Sequence, residues 1–140
     1  MRLDVKNLDF GYAKKVQILH NINFSAESGQ LVSLIGPNGS GKTTIIKCIN
    51  QILSPQSGQI LLDGTNIHTM RTMELAKKVG YVPQMTKNFM GGTVLDAVLM
   101  GRRPYIKWKI TDYDVTLVLE IMKKLEITHL AHKEYESLSG

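Results

Sequence analysis

Gly36-Pro37-Asn38-Gly39-Ser40-Gly41-Lys42-Thr43-Thr44 (GPNGSGKTT) decides how this 140-residue chain is read. Before it, Leu31, Val32, Leu34 and Ile35 form a short apolar run. After it, Ile45, Ile46, Cys48, Ile49, Ile52 and Leu53 recur at helical spacing. The order predicts a strand, a glycine loop and a helix. Gly36, Gly41, Lys42 and Thr43 fit the phosphate-loop pattern of Gly, four residues, Gly, Lys and Ser/Thr. Glycines permit backbone turns that aim successive N–H groups at one centre, and a helix N-terminus adds unpaired donors and the positive end of its dipole. Lys42 is then expected to reach the β- and γ-phosphates of a nucleoside triphosphate, and the Thr43 hydroxyl to ligate Mg²⁺. A merely flexible glycine turn needs neither the apolar run nor the periodic helix.

Composition bounds the rest. The length suits about one domain, and the 43% apolar content is enough for a packed core, which excludes a disordered tail. The net charge of +5 is scattered in pairs: Lys14 with Lys15, Lys77 with Lys78, Arg102 with Arg103, Lys123 with Lys124. Only Arg102 to Lys109 (RRPYIKWK) interleaves basic and aromatic residues in the manner of a nucleic-acid patch. It is read instead as a solvated or partner-facing loop, and no nucleic acid is expected. Apolar runs fall far short of the ~20 residues needed to cross a bilayer, and no apolar signal region follows Met1, which predicts a soluble, cytosolic chain. Cys48, alone on the apolar side of the predicted helix, reads as core filler.

Along the chain, Arg2 to Leu8 and Ile18 to Ala26 alternate and predict strands ahead of the turn at Ser28-Gly29. Tyr12, beside Gly11, lies just upstream of the glycine loop, and its spacing leaves base stacking and ordinary hairpin packing equally open. Ser54 to Gly58 should end the helix after the loop, and Gln59 to Leu62 should be a strand closing on an Asp63-Gly64 hairpin. Ile60-Leu61-Leu62-Asp63 imitates an apolar strand ending in a metal-holding Asp, but the following Gly marks it as turn chemistry. Thr72 to Lys78 suits a short helix, and Val79 to Val82 a short buried strand stopped by Pro83. Gln84 follows at its exit, where a neutral amide can hold a metal's water or orient an attacking one, although a lone Gln after a strand is usually a loop residue. Thr93 with Asp96, and Thr111 with Asp114, predict capping boxes with Asp in place of Glu. The second helix, about Asp112 to Leu125, puts Val115, Val118, Met122 and Leu125 on one stripe. His129 and His132 lack a third ligand nearby, short of a metal site.

Taken in order, these marks resemble the ATP-binding subunit of ABC transporters. Tyr12 matches the adenine-stacking aromatic, GPNGSGKTT the Walker A loop, Tyr81-Val82-Pro83-Gln84 the Q-loop, and Leu138-Ser139-Gly140 the opening of the LSGGQ signature. The resemblance implies an α/β fold of the P-loop NTPase, ABC-type ATPase class. The chain would be a single, incomplete ATP-binding domain over residues 1–140: an antiparallel β part and phosphate-loop α/β core over about 1–84, and the start of a helical subdomain over about 85–140. It implies ATP and Mg²⁺ as cofactors. ATP would contact Tyr12, residues Gly36, Pro37, Asn38, Gly39, Ser40, Gly41, Lys42, Thr43 and Thr44, and Ser139 and Gly140 across a homodimer or pseudo-twofold dimer. Lys42 and Gln84 would serve hydrolysis, and Thr43 and Gln84 the metal.

The stretch TVLDAVLMGRRPY, the helix after it and the final ESLSG look most like importers of iron–siderophore, haem or cobalamin complexes. That implies polytopic permease partners facing the helical segment after Gln84, including Arg102 to Trp108, an indirect substrate-binding protein, and a cytoplasmic, peripheral place at the inner face of the membrane. A soluble ABC protein of translation, repair or cluster assembly, or a non-catalytic fragment, is the alternative. In the family an apolar strand ending in Asp-Glu, a D-loop and a switch His follow the signature. The chain therefore reads as the N-terminal portion of a longer protein, and on its own is not expected to turn over ATP.

Overall fold

The computed structural model describes residues 1–13, 16–84 and 91–138, in two compact units, Met1–Gly80 and Tyr81–Gly140. The first is organised by a four-stranded antiparallel sheet in the order β2-β1-β3-β4: β1 (Arg2–Ala13), β2 (Val16–Glu27), β3 (Ser57–Leu62) and β4 (Thr65–Asn66). Helix α1 (Lys42–Ile49) follows the glycine loop, and a short helix α2 (Thr72–Ala76) follows a 3₁₀ turn at Ile67–Thr69.

The long hairpin β1–β2 departs from simple alternation for a local reason. Val5 is buried in β1, but so are Leu8 and Phe10, and that change of parity needs one extra residue. Asn7 supplies it at φ 48°, where the register with β2 shifts between Val5 and Leu8. In β2, Leu19 faces the core, and Ile22 and Phe24 pack against it after Asn21 at φ 47°. Asparagine tolerates the left-handed region because its short amide bonds locally. Here Asn23 Oδ1 accepts from the Asn7 N–H at 2.9 Å, and Asp9 Oδ1 accepts from the Asn21 N–H at 2.9 Å. Asp9 also accepts from Ser57 Oγ at 2.7 Å, tying β3 to the hairpin.

Ile60 and Leu62 of β3 face the same side as Val5 and Leu8, and α1 lays Ile45, Cys48 and Ile49 over them with Ile67 and Leu75. Leu8, Leu19, Ile60 and Ile67 are at most 1% exposed, so truncating one to Ala costs about 2–5 kcal/mol. Cys48 is part of this core, and burial pushes its thiol pKa up, which suits filler rather than a nucleophile. Asp63 (φ 50°) and Gly64 (φ 78°) make the β3–β4 turn, both in the left-handed conformation such two-residue turns require. Asp63 Oδ1 accepts from the Arg2 N–H at 2.7 Å, so its carboxylate belongs to the turn and the strand beside it.

Two expected strands are not formed. Residues 31–35 run without a ladder, with Leu31 95% and Ile35 94% exposed and only Leu34 packed on the core. Residues 79–82 also lack strand pairing, and Val82 is 92% exposed. A strand exists only through its neighbours' hydrogen bonds, and the described residues bring none alongside either stretch.

The second unit is helical. Helix α3 (Val94–Met100) and α4 (Asp112–Lys124) each start at a capping box: Asp96 Oδ2 accepts from the Thr93 N–H at 2.8 Å, and Asp114 Oδ2 from the Thr111 N–H at 3.1 Å. Val94, Val118, Met122 and Ala131 form the core, joined by Leu130, Tyr135 and Leu138. Of the expected stripe on α4, Val118 and Met122 are buried, Val115 is half-buried and Leu125 stays 62% exposed. The 131–135 segment is stitched to the start of α3, with Leu95 N–H donating to Ala131 O and Val94 N–H to Lys133 O, each at 3.0 Å.

Candidate functional site

The glycine loop joins the unpaired 31–35 segment to α1, and its shape follows from where its glycines sit. Gly41 is the N-cap of α1 at φ 88°. A Cβ there would stand 2.6 Å from Leu19 Cδ2 and 3.2 Å from Ile18 Cγ2, so the loop's end lies directly on β2 and only glycine fits. At the other end, a Cβ on Gly36 would come 2.8 Å from Ser40 Oγ, so the loop nearly closes on itself.

Lys42 folds back over this ring. Its Nζ donates to Pro37 O at 2.6 Å, to Gly36 O at 2.8 Å and to Ser40 Oγ at 3.3 Å, which matches the three donors of an ammonium group. The first backbone bond at this helix end runs from Ile45 N–H to Gly41 O at 2.9 Å. By helix geometry the amides of Lys42, Thr43 and Thr44 precede it and are left over as donors. No acidic side chain occupies the first turn of α1. The donor set is thus a cation, a helix N-terminus and a glycine backbone in one place, which fits a polyphosphate. Thr43 is exposed beside it, whereas Thr44 is 7% exposed and packs inward. Of the two hydroxyls, only that of Thr43 is open to a metal ion.

Tyr12 stands at the far end of β1, 62% exposed, with its ring edge-on to Phe10 at 5.0 Å between centroids. Phe10 pairs with Leu19, the residue under Gly41. The hairpin that supports the loop therefore also carries Tyr12. Gln84 is exposed at a bend after Pro83 and belongs to the second unit. Ser139 and Gly140 lie outside the described residues.

A family model described as ABC transporter matches residues 19–140. The chain belongs to the ABC transporter family. An uncharacterized ABC transporter ATP-binding protein of Methanocaldococcus jannaschii is 47% identical over 141 residues, covering 100% of this chain and 54% of its own length. The petrobactin import ATP-binding protein of Bacillus anthracis is 34% identical, covering 99% of this chain and 51% of its own. Iron(3+)-hydroxamate, hemin and cobalamin import ATP-binding proteins match at 31–33% identity. Among solved structures, cbiO1 from Clostridium perfringens, part of the ABC transporter complex cbiONQ, superposes with a TM-score of 0.78 at 30% identity, over 98% of this chain and 55% of that one. The chain spans between about a third and about half the length of these relatives. Its fold is part of the P-loop ABC ATPase domain, and the ABC match begins at Leu19, so Tyr12 falls before it.

Two features of this ABC chain escaped the sequence. Nothing in GPNGSGKTT announces that the Lys42 ammonium satisfies itself on Gly36 and Pro37, because carbonyl acceptors exist at every residue. The seating of Gly41 on Ile18 and Leu19 joins residues more than twenty apart; the apolar pair itself was the available signal.

Proposed function

We propose that the protein containing this chain binds Mg-ATP on the 36–44 loop and hydrolyses it to drive import of an iron–siderophore, haem or cobalamin complex. The observation that carries this reading is the Lys42 ammonium gathered over the loop at the N-terminus of α1. In the bound state Lys42 exchanges its carbonyl acceptors for β- and γ-phosphate oxygens, while the loop amides and those of Lys42, Thr43 and Thr44 hold the rest of the triphosphate. Residues Gly36 to Thr44 thereby grip and orient without covalent chemistry. Bound Mg²⁺ supplies neutralisation of developing phosphate charge, with the Thr43 hydroxyl and the Gln84 amide as its protein contacts. Tyr12 offers its exposed ring to the adenine. Ser139 and Gly140 complete the site of a second copy in a head-to-tail dimer, and the helical unit faces permease subunits at the inner face of the membrane. Among the described residues no helix is long and apolar enough to cross a membrane. The importer class rests on the names of relatives near one-third identity, which agree on import and differ in cargo.

Titration of the full-length protein with ATP by calorimetry tests this. Wild type should bind and Lys42→Ala should lose most of the affinity; equal affinity in both would remove the assignment.

A further inference from the structure

Asn38 is the one asparagine in the chain followed by glycine. Asn38 and Gly39 form the turn at the crown of the phosphate loop, and both are exposed. The rest of the loop is held: Gly41 sits on Ile18 and Leu19, Gly36 closes on Ser40 Oγ, and Lys42 Nζ ties the Gly36 and Pro37 carbonyls. At the crown, Gly39 stands at φ 83°, and a Cβ added there would meet no heavy atom within 4 Å. Among the described residues the Asn38 side-chain amide and the Gly39 N–H have no hydrogen-bond partner, while the next amide, Ser40 N–H, donates to Pro37 O at 3.3 Å. Other asparagines are placed differently. Asn23 Nδ2 donates to Asn21 O and Oδ1, Asn50 Nδ2 donates to Ile46 O, and Asn66 Oδ1 accepts from the His68 N–H. Bulky residues follow them: Ile22, Phe24, Gln51 and Ile67.

We propose that Asn38 is a site of spontaneous deamidation in the nucleotide-free protein, and that a phosphate ligand on the loop suppresses it. The Gly39 nitrogen gives up its proton and bonds to Asn38 Cγ. The Cγ–Nδ2 bond breaks and ammonia leaves with that proton, closing a succinimide. Water then cuts the new N–Cγ bond, giving aspartate, or the original backbone C–N bond, giving isoaspartate with the main chain rerouted through the side chain. Nothing is oxidised or reduced. Glycine puts no side chain in the path of the attack, and the attacking N–H gives up no hydrogen bond. The N-terminus of α1 and the Lys42 ammonium make the surroundings electropositive, which stabilises the deprotonated nitrogen. The product sets a negative charge where phosphates are to sit, so it opposes ATP at short range. A triphosphate on the loop claims the N–H groups at the crown and so removes the nucleophile. Loops in use are protected, and idle ones age. This protection rests on the reading that the 36–44 loop holds a triphosphate; the chemistry at Asn38 does not.

The test is incubation of the full-length protein at mildly alkaline pH, alone, with a non-hydrolysable ATP analogue, or with inorganic triphosphate, followed by peptide mass spectrometry and ATP calorimetry. Without ligand, acid should accumulate at residue 38 ahead of every other described asparagine, faster as pH rises and partly as isoaspartate, and ATP affinity should fall in step. Either phosphate ligand at about ten times its Kd should slow conversion about tenfold, in proportion to the loops left empty. Asn38→Asp, made directly, should bind ATP about tenfold more weakly than wild type with an unchanged melt. Asn38→Gln, whose longer side chain closes the ring poorly, should keep whatever ATP affinity it starts with throughout the incubation. No enrichment of acid at residue 38, or conversion that leaves ATP affinity intact, would overturn the proposal. So would equal conversion with and without phosphate ligand in a preparation that calorimetry shows to bind it. Fresh protein that binds no phosphate ligand would strike the triphosphate reading and the protection with it, while conversion at residue 38 would still establish the modification.

Discussion

The ammonium nitrogen of Lys42 lies 2.6 Å from the carbonyl oxygen of Pro37, five residues earlier in the chain. A cation held by its own loop's carbonyls is already where an anion must arrive, so binding moves it little and costs little side-chain ordering. The held state also means that affinity measures an exchange of acceptors, carbonyl for phosphate, and not the full strength of the new bonds.

That exchange separates binding from folding. Gly36 and Pro37 are exposed, so their carbonyls turn to water when Lys42 is truncated. Lys42→Met should leave the melting temperature within the shift expected of about 0.5 kcal/mol, while the rise in melting temperature produced by saturating ATP disappears. Differential scanning fluorimetry with and without ATP reads both. A variant that melts much lower without ligand would show that Lys42 holds the fold instead.

The two adjacent threonines should behave oppositely. Thr43 is exposed at the loop, and Thr44 is 7% exposed against the core. On the proposed reading, Thr43→Ala removes a hard oxygen donor to Mg²⁺. The gain in ATP affinity on adding Mg²⁺ should shrink, with stability unchanged. Thr44→Ala should cost about 1 kcal/mol of stability and leave the Mg²⁺ dependence alone. Nucleotide titrations with Mg²⁺ and with a chelator, paired with urea unfolding, distinguish them; a Mg²⁺ defect in the Thr44 variant alone would reverse the assignment.

Tyr12 can be divided the same way. Its ring meets Phe10 edge-on at 5.0 Å and leaves most of its surface free. Loss of an aromatic face under a base costs about 1–3 kcal/mol, so Tyr12→Ala should weaken ATP by about fivefold or more while inorganic triphosphate binds as before. Tyr12→Phe should retain both. Equal losses for the two ligands would assign Tyr12 to hairpin packing.

What could be read in the sequence was what is decided locally. GPNGSGKTT foretold a helix following its glycines, Asp63-Gly64 a tight turn, and the Thr93/Asp96 and Thr111/Asp114 pairs two helix starts; each is a contract among residues a few positions apart. Nonlocal conditions were less visible. Asn7 looks like an ordinary strand residue, yet its left-handed turn decides that Leu8 and Phe10 share a face with Val5, and Asn21 does the same between Leu19 and Ile22 on β2. Leu31 to Ile35 and Val79 to Val82 have strand composition, but composition supplies no neighbour to pair with. Arg102 and Asp114, twelve apart, were hidden because Asp114 already had a role as a capping residue.

That double role of Asp114 makes the helical unit sensitive to acid in a definite direction. The Thr111 hydroxyl and N–H, then Arg102, hold its carboxyl below the usual carboxylate range. Asp96 is lowered in the same direction by the Thr93 hydroxyl and N–H. A carboxyl whose pKa is lower folded than unfolded adds stability that is complete above the unfolded value, about 3.9, and is lost as pH falls through the folded one. Melting should therefore be flat with respect to these groups near neutrality and fall below about pH 4. Asp114→Asn, which breaks the Arg102 pair and weakens the cap, should melt lower than wild type near neutrality, and the gap should close as acid protonates the wild-type carboxyl. Thermal melts of both proteins across that range decide it. A gap that widened on acidification would mean that Asp114 is favoured in its protonated form, against the donors that surround it.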